Sequence, residues 1–226
     1  MKRIPKDDFL IKSRATLEEL YDKLSNLIEI SLNDLRTEST VLILMDMVNG
    51  FARSGALHSP RVEALIPGVV RLLKACNSLG VAQLAFADNH SNASPEFESY
   101  PAHCLADTDE AELVEEIKSI GGYQLIPKNS TNSFLEPAFQ RWLEENRHID
   151  TFIVVGNCTD ICVGQFAITL KSWFNRKDQK VRVIVPVNLV DTYDLGLHYA
   201  DFMNLVELYN MMGNGIEVVS RIAHSD

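Results

Sequence analysis

The sequence predicts an α/β fold: a three-layer α/β/α sandwich around a mostly parallel sheet of about six strands. Three observations carry that expectation. Short apolar runs with little alternation recur along the chain, as in strands covered on both faces. Segments with helical spacing separate them. Polar, reactive residues stand at the carboxyl ends of several runs, where such sheets hold their ligands.

Taken in order, Thr16-Leu17-Glu18-Glu19 has the form of a capping box. Leu17, Leu20, Leu24, Leu27 and Ile28 follow at helical spacing and predict an amphipathic helix over 16–36. Residues 1–38 are therefore expected to be an N-terminal helical extension, and 39–226 one α/β domain. Apolar runs predict strands at 40–45, 81–87, 123–126, 152–155, 181–185 and 216–219. Between them, Pro67 can open a helix and Gly80 close it. Further helices are expected over 111–119, 137–145, 161–174 and 198–212. No repeat, low-complexity tract or linker interrupts the series.

Composition narrows the function classes. The 226 residues include 31 acidic and 21 basic side chains, a net charge of −10. That excludes nucleic acid and anionic membranes as expected partners, since both require clustered Lys and Arg. No apolar run approaches the ~20 residues of a membrane span. Met1-Lys2-Arg3-Ile4-Pro5-Lys6-Asp7-Asp8 lacks the apolar core of a secretory signal. Cys76, Cys104, Cys158 and Cys162 do not form a disulfide framework, so free thiols and a cytoplasmic location are expected.

The tract Gly156-Asn157-Cys158-Thr159-Asp160-Ile161-Cys162-Val163 joins a predicted strand to a predicted helix. A helix N-terminus offers free amides and partial positive charge, which favour a thiolate and can hold an oxyanion. Cys162 is the candidate nucleophile. Asp46 and Lys128, at the ends of two other runs, supply a base for its proton and a cation for its anion. Taken singly, Asp46 could cap a turn and Lys128 could be a solvated loop cation; their joint placement favours chemistry. Cys158 is either a small residue filling the turn or a disulfide partner for Cys162. His58 and His198 receive no part.

Asp88-Asn89-His90 puts two metal-ligand side chains on one side of a strand end. With His103 and Glu96 they would suit Zn²⁺, Fe²⁺ or Mn²⁺. Two alternatives stay open: loop histidines with no metal, or a structural zinc site that uses His103 and Cys104.

These motifs together resemble the isochorismatase-like cysteine hydrolase superfamily, and within it the nicotinamidases, over about residues 39–222. Asp46-Met47-Val48-Asn49-Gly50-Phe51 is similar to the family's first-strand segment, Lys128 to Phe134 to its lysine segment, and Gly156 to Val163 to its nucleophile turn. The resemblance implies an isochorismatase-like, Rossmann-like domain with Asp46, Lys128 and Cys162 catalytic. It implies a cis Asn157–Cys158 peptide, with the amides of Cys158 and Cys162 forming the oxyanion hole. It also implies one divalent metal, zinc first, on Asp88, His90, Glu96 and His103. Phe51, Tyr100 and Phe134 become candidate walls for a flat ring, and a homo-oligomer is expected. Tyr100 stands where nicotinamidases carry Trp, and Ala106-Asp107-Thr108 departs from their Gly-Thr. The leading expectation is a metal-containing cysteine amidohydrolase that converts nicotinamide to nicotinate and ammonia. A hydrolase of another small amide or carbamoyl compound is the alternative. A catalytically silent metabolite- or partner-binding protein is the third, and it leaves Asp46, Lys128 and Cys162 without a purpose.

Overall fold

Helix formation begins earlier than the periodicity suggests. In the computed structural model, which describes residues 4–224, helix α1 spans Lys6–Ser25. Pro5 precedes it, and Asp7 and Asp8 occupy the first turn, where negative charge meets free amides. Thr16 is no cap: it lies mid-helix and donates its hydroxyl to the Lys12 carbonyl, 3.1 Å away. The helix stops at Ser25 rather than 36, because the chain then extends into strand β1 (Ile30–Ser31). Residues 1–3 and 225–226, the outer ends of the two expected segments, lie outside the described residues.

The chain continues through β2 (Thr40–Met45), α2 (Asn49–Ala52), α3 (Pro60–Leu79), β3 (Ala82–Asp88), α4 (Glu115–Lys118) and β4 (Gln124–Lys128). Then come α5 (Pro137–Glu145), β5 (Thr151–Asn157), α6 (Gly164–Asn175), β6 (Arg182–Pro186), β7 (Val190–Asp191), α7 (Ala200–Gly213), β8 (Glu217–Val219) and β9 (Ile222–Ala223).

Helices α3 and α4 also depart from expectation. Helix α3 opens at Pro60, where the Ser59 hydroxyl caps it by accepting from the Arg61 amide; Pro67 lies inside it. It ends on Gly80 with φ 71°, as the left-handed terminus requires. The helix expected over 111–119 shrinks to α4. Its leading residues are claimed instead by a bridge between Val48 and Leu113, with the Val114 amide 3.0 Å from the Met47 carbonyl.

The main sheet has seven strands, in the order β4-β3-β2-β5-β6-β8, with β7 continuing along β5 beyond the reach of β6. Every pairing in it is parallel. Strands β1 and β9 form a separate parallel pair. Alternation divides each strand between two cores. Leu42, Leu44, Ile153 and Val155 pack with Val62, Ile66, Val69 and Leu73 of α3. Val41, Ile43, Phe152 and Val154 pack with Phe139 of α5, Phe166 of α6 and Met211 of α7. Phe86, Phe139 and Phe166 form a triangle with ring centroids 5.2–5.4 Å apart. This is the expected three-layer sandwich. Strands β2 and β5 are neighbours, yet the chain builds β3 and β4 on one side before returning to build β6 and β8 on the other. The crevice between their carboxyl ends is the switch point of the sheet. Among the described residues, no helix is long and apolar enough to cross a membrane.

Candidate active site

Four strand ends meet at that switch point. Asp46 follows β2 and is fully buried. Its backbone takes φ 52°, uncommon for a residue with a Cβ. The turn is fixed from both sides: the Asp46 amide donates to the Phe86 carbonyl, and Asn157 Nδ2 donates to the Asp46 carbonyl at 2.6 Å. Gly156, in register with Met45, has φ 113°. A Cβ there would lie 2.0 Å from the Met45 carbonyl oxygen, so only glycine lets β5 pass so close.

Lys128, the last residue of β4, is 1% exposed and pairs in register with Asp88. Its Nζ lies 2.9 Å from Asp46 Oδ2, a charge contact without well-aligned hydrogen-bond geometry. It donates to Asp88 Oδ1 and to the Ser130 carbonyl, and lies 3.6 Å from Cys162 Sγ. Asp46 Oδ1 accepts from the Asp88 amide at 3.0 Å. Asp46, Asp88 and Cys162 offer atoms all within 4.8 Å of one another.

One ammonium thus serves two buried carboxylates, and the charges respond unequally. Burial and the neighbouring Asp88 push the Asp46 carboxyl up to about 7, against the pull of Lys128. Burial also opposes ionisation of Asp88, but the Lys128 ammonium outweighs it, with the neighbouring imidazoles of His103 and His90 adding to the pull, and holds Asp88 well below the carboxylate range. Lys128 is raised: burial works against its charge, and the Asp46 and Asp88 carboxylates more than restore it. Burial drives the Cys162 thiol up, only partly countered by Lys128. At rest the site favours a proton on sulfur, with a carboxyl raised toward neutrality beside it.

The nucleophile turn departs from an ordinary helix start. The Asn157–Cys158 peptide is cis. Thr159–Val163 forms a wide turn in which the Cys158 carbonyl accepts from the amides of both Ile161 and Val163 at 3.1 Å. Helix α6 begins only after it, so the expected helix over 161–174 starts at Gly164.

Beside the Lys128–Asp88 pair stand His90 and His103, with Asp88 a cluster whose ligand atoms all lie within 4.8 Å. Each imidazole has its Nδ1 beside an oxygen acceptor: Asn129 Oδ1 at 3.3 Å for His90 and the Pro101 carbonyl at 2.8 Å for His103. That assigns the Nδ1 proton and leaves the Nε2 lone pairs facing Asp88, at 3.3 and 3.7 Å. His90 Nε2 is buried without a hydrogen-bond partner. Glu96 stands at the rim: its Oε2 is 3.8 Å from His90 Nε2, and its Oε1 accepts from the Thr131 amide. An oriented pair of imidazoles, a carboxylate and an orphaned buried nitrogen fit a divalent cation.

The aromatic candidates separate. Phe51 and Tyr100 lie 5.5 and 6.3 Å from the His103 ring, centroid to centroid. Phe134 packs instead on Phe139 and Trp173 in the core layer. Sequence reasoning missed Phe97 as a wall, although it follows Glu96: its ring is 5.5 Å from His90 and 5.7 Å from His103. It also missed Asn129 beside Lys128, and the Tyr193–His198 pair that reaches the nucleophile turn from the loop after β7. Cavities of about 1130 Å³, between α1 and α7, and about 710 Å³, at the amino-terminal ends of β5 and β6, lie away from this chemistry.

The isochorismatase domain family matches residues 40–217. The chain belongs to the isochorismatase family. Nicotinamidase 1 of Arabidopsis thaliana is 30% identical over 92% of this chain and 98% of its own length. Among solved structures sharing the fold, a nicotinamidase from Bacillus subtilis aligns with TM-score 0.68 at 22% identity, over 80% of this chain and 99% of that one. A pyrazinamidase from Pyrococcus horikoshii, in complex with zinc, aligns with TM-score 0.67 at 21% identity, over 80% and 98%. This family member is a hydrolase.

Proposed function

We propose that this enzyme hydrolyses nicotinamide to nicotinate and ammonia through a thioester on Cys162. The observation that carries the reading is the buried contact of Asp46, Lys128 and Cys162, set against the Asp88–His90–His103 cluster. The full-length similarity to a plant nicotinamidase supports the substrate.

Asp46 takes the thiol proton of Cys162, and the sulfur attacks the carboxamide carbon. Lys128 stabilises the anionic forms without leaving its two carboxylates. The backbone amides of Cys158 and Cys162 receive the developing oxyanion. Asp46 returns the proton to the departing ammonia as the carbon–nitrogen bond breaks. Water then cleaves the thioester, giving its proton back through Asp46 to restore the thiol. Asp88, His90 and His103, with Glu96 at the rim, would hold one divalent metal, zinc in the relative from Pyrococcus horikoshii. An ion bound there would supply Lewis-acid chemistry toward a ring nitrogen of the substrate. Phe51, Tyr100 and Phe97 line the ring, and Phe134 backs the wall from the core layer. Four free thiols suit a reducing compartment, the cytoplasm.

The test is ammonia release from nicotinamide by metal-loaded protein, with Cys162→Ala alongside. Turnover by the wild type alone supports the reading. No release by the wild type overturns it and leaves other small amides and carbamoyl compounds as the substrate class.

A further inference from the structure

The loop joining β7 to α7 is built as a rigid arm. At its base, β7 lies in register with Gly156 and Asn157, immediately before the nucleophile turn. Arg61 clamps both ends, with Nε 3.0 Å from Asp191 Oδ1 and Nη2 2.7 Å from Asp201 Oδ1. Within the arm, Leu195 and His198 exchange backbone hydrogen bonds, and Asp194 accepts from the Ala200 amide. His198 is therefore delivered in a fixed position. Its ring stacks on Tyr193 at 4.1 Å and 7°.

Both imidazole nitrogens of His198 meet acceptors. Nδ1 lies 2.7 Å from the Tyr193 carbonyl and Nε2 2.8 Å from Asp160 Oδ2. A carbonyl and a carboxylate can only accept, so the ring is held between two acceptors, one of them the Asp160 carboxylate. Asp160 stands two residues before Cys162 in the same turn. Its side chain is 5% exposed, and its Oδ1 has no partner. A second carboxylate lies close by: a Cβ on Gly164 would fall 2.5 Å from Glu207 Oε1 of α7. Burial raises the Glu207 carboxyl, and Asp160 adds to the rise. Burial likewise raises the phenols of Tyr193, to about 12, and Tyr100, with Asp160 among the further causes for both. Asp160 also adds to the rise of the Cys158 thiol, at the head of the nucleophile turn.

We infer that His198 is a positioning residue for the nucleophile turn. It satisfies the buried Asp160 carboxylate with a hydrogen bond and ties the turn to the β7–α7 arm. The Cys162 thiolate, and the oxyanion forming beside it, are thereby spared an uncompensated negative charge. The inference deepens the proposed function and rests on Cys162 being its nucleophile.

The test measures iodoacetamide alkylation at Cys162, located by peptide mass spectrometry with Cys162→Ala marking the background, beside nicotinamide turnover. His198→Ala is expected to slow alkylation about tenfold, the effect of one unit in the thiol's ionisation, and to lower kcat by a similar factor with KM changed less than about threefold. Adding Asp160→Asn to His198→Ala is expected to restore alkylation to within about threefold of wild type, because the uncompensated charge is gone. Were His198 merely structural, the double variant would be slower than either single one, and that result overturns the inference. Should His198→Ala fail to fold, Asp160→Asn alone still decides: alkylation as fast as wild type or faster supports it, and a tenfold slowing overturns it. The two readings fail separately. A wild type inactive on nicotinamide with the alkylation pattern intact removes only the substrate. An active wild type with unchanged alkylation in His198→Ala removes only the role of His198.

Discussion

Replacing Lys128 by Met exposes how this site is held together. The ammonium is flanked by Asp46 and Asp88, and their side chains are 0%, 0% and 4% exposed, so water contributes almost nothing to their charge balance. Removing one partner of a buried ion pair costs about 3–5 kcal/mol, because the remaining charge is stranded. A domain of this size loses ~2–4 °C of Tm per kcal/mol. Lys128→Met should therefore lower Tm by roughly 6–20 °C in the presence of a chelator.

The loss should depend on pH with a definite sign. In the wild type Asp88 is held low, so its contribution is present above its unfolded value and lost only in strong acid. Asp46 is raised to about 7, so its favourable, protonated contribution is complete below the unfolded value and fades as pH rises toward 7. Without Lys128 both carboxyls lose the cation that favours ionisation, and both are relieved by protonation. The Tm deficit should then shrink between pH 8 and pH 5, as read by circular dichroism melts of both proteins. A deficit that stays constant over that range, or one under ~2 °C, would refute the argument that burial makes Lys128 indispensable.

Three further outcomes follow from the same geometry. In metal-free protein, the rate of Cys162 alkylation should rise with pH through about 7, where Asp46 ionises, and metal loading should move that midpoint down; a midpoint unchanged in Asp46→Asn would contradict the role of Asp46 as base. His90→Ala removes the orphaned Nε2 and should cut bound metal, measured by elemental analysis after dialysis, by about tenfold or more; full retention would remove His90 from the ligand set. Phe139→Ala empties one corner of the Phe86–Phe139–Phe166 triangle and should cost about 3–5 kcal/mol by urea titration, whereas a cost under ~1 would mean the layer collapses around the gap.

What the sequence disclosed and what it withheld divide along a physical line. Buried parallel strands write themselves as apolar runs, so β2, β3 and β5 were legible with the polar residues at their ends. Asp46, Lys128 and Cys162 could be gathered because each terminates or follows such a run, and fold topology brings those ends together. Strand β7 was not legible: with two residues it has no period, and it exists because the edge of β5 is free beyond the end of β6. His198 gave no local sign, since its meaning lies in a carboxylate on another element. The start of α1 was misplaced because Thr16-x-x-Glu19 carries the cap pattern on a helix that Pro5 and two aspartates begin earlier. Phe134, read from the sequence as a pocket wall, packs on Phe139 and Trp173 in the core layer, a placement the local pattern does not show.

The pairing of β1 with β9 has a consequence for the order in which the molecule is made. Ile30 sits in register with Ile222, and the Ser220 hydroxyl donates to the Ile28 carbonyl across 192 residues of chain. Helix α1 packs against α7, also late in the sequence. The docking partners of α1 and β1 are therefore synthesised tens of seconds after them, at about 5–20 residues per second. Until then the segment has nowhere to settle. The β2–β5 crevice can assemble around its charges first, and the amino-terminal arm closes over a sheet that is already complete.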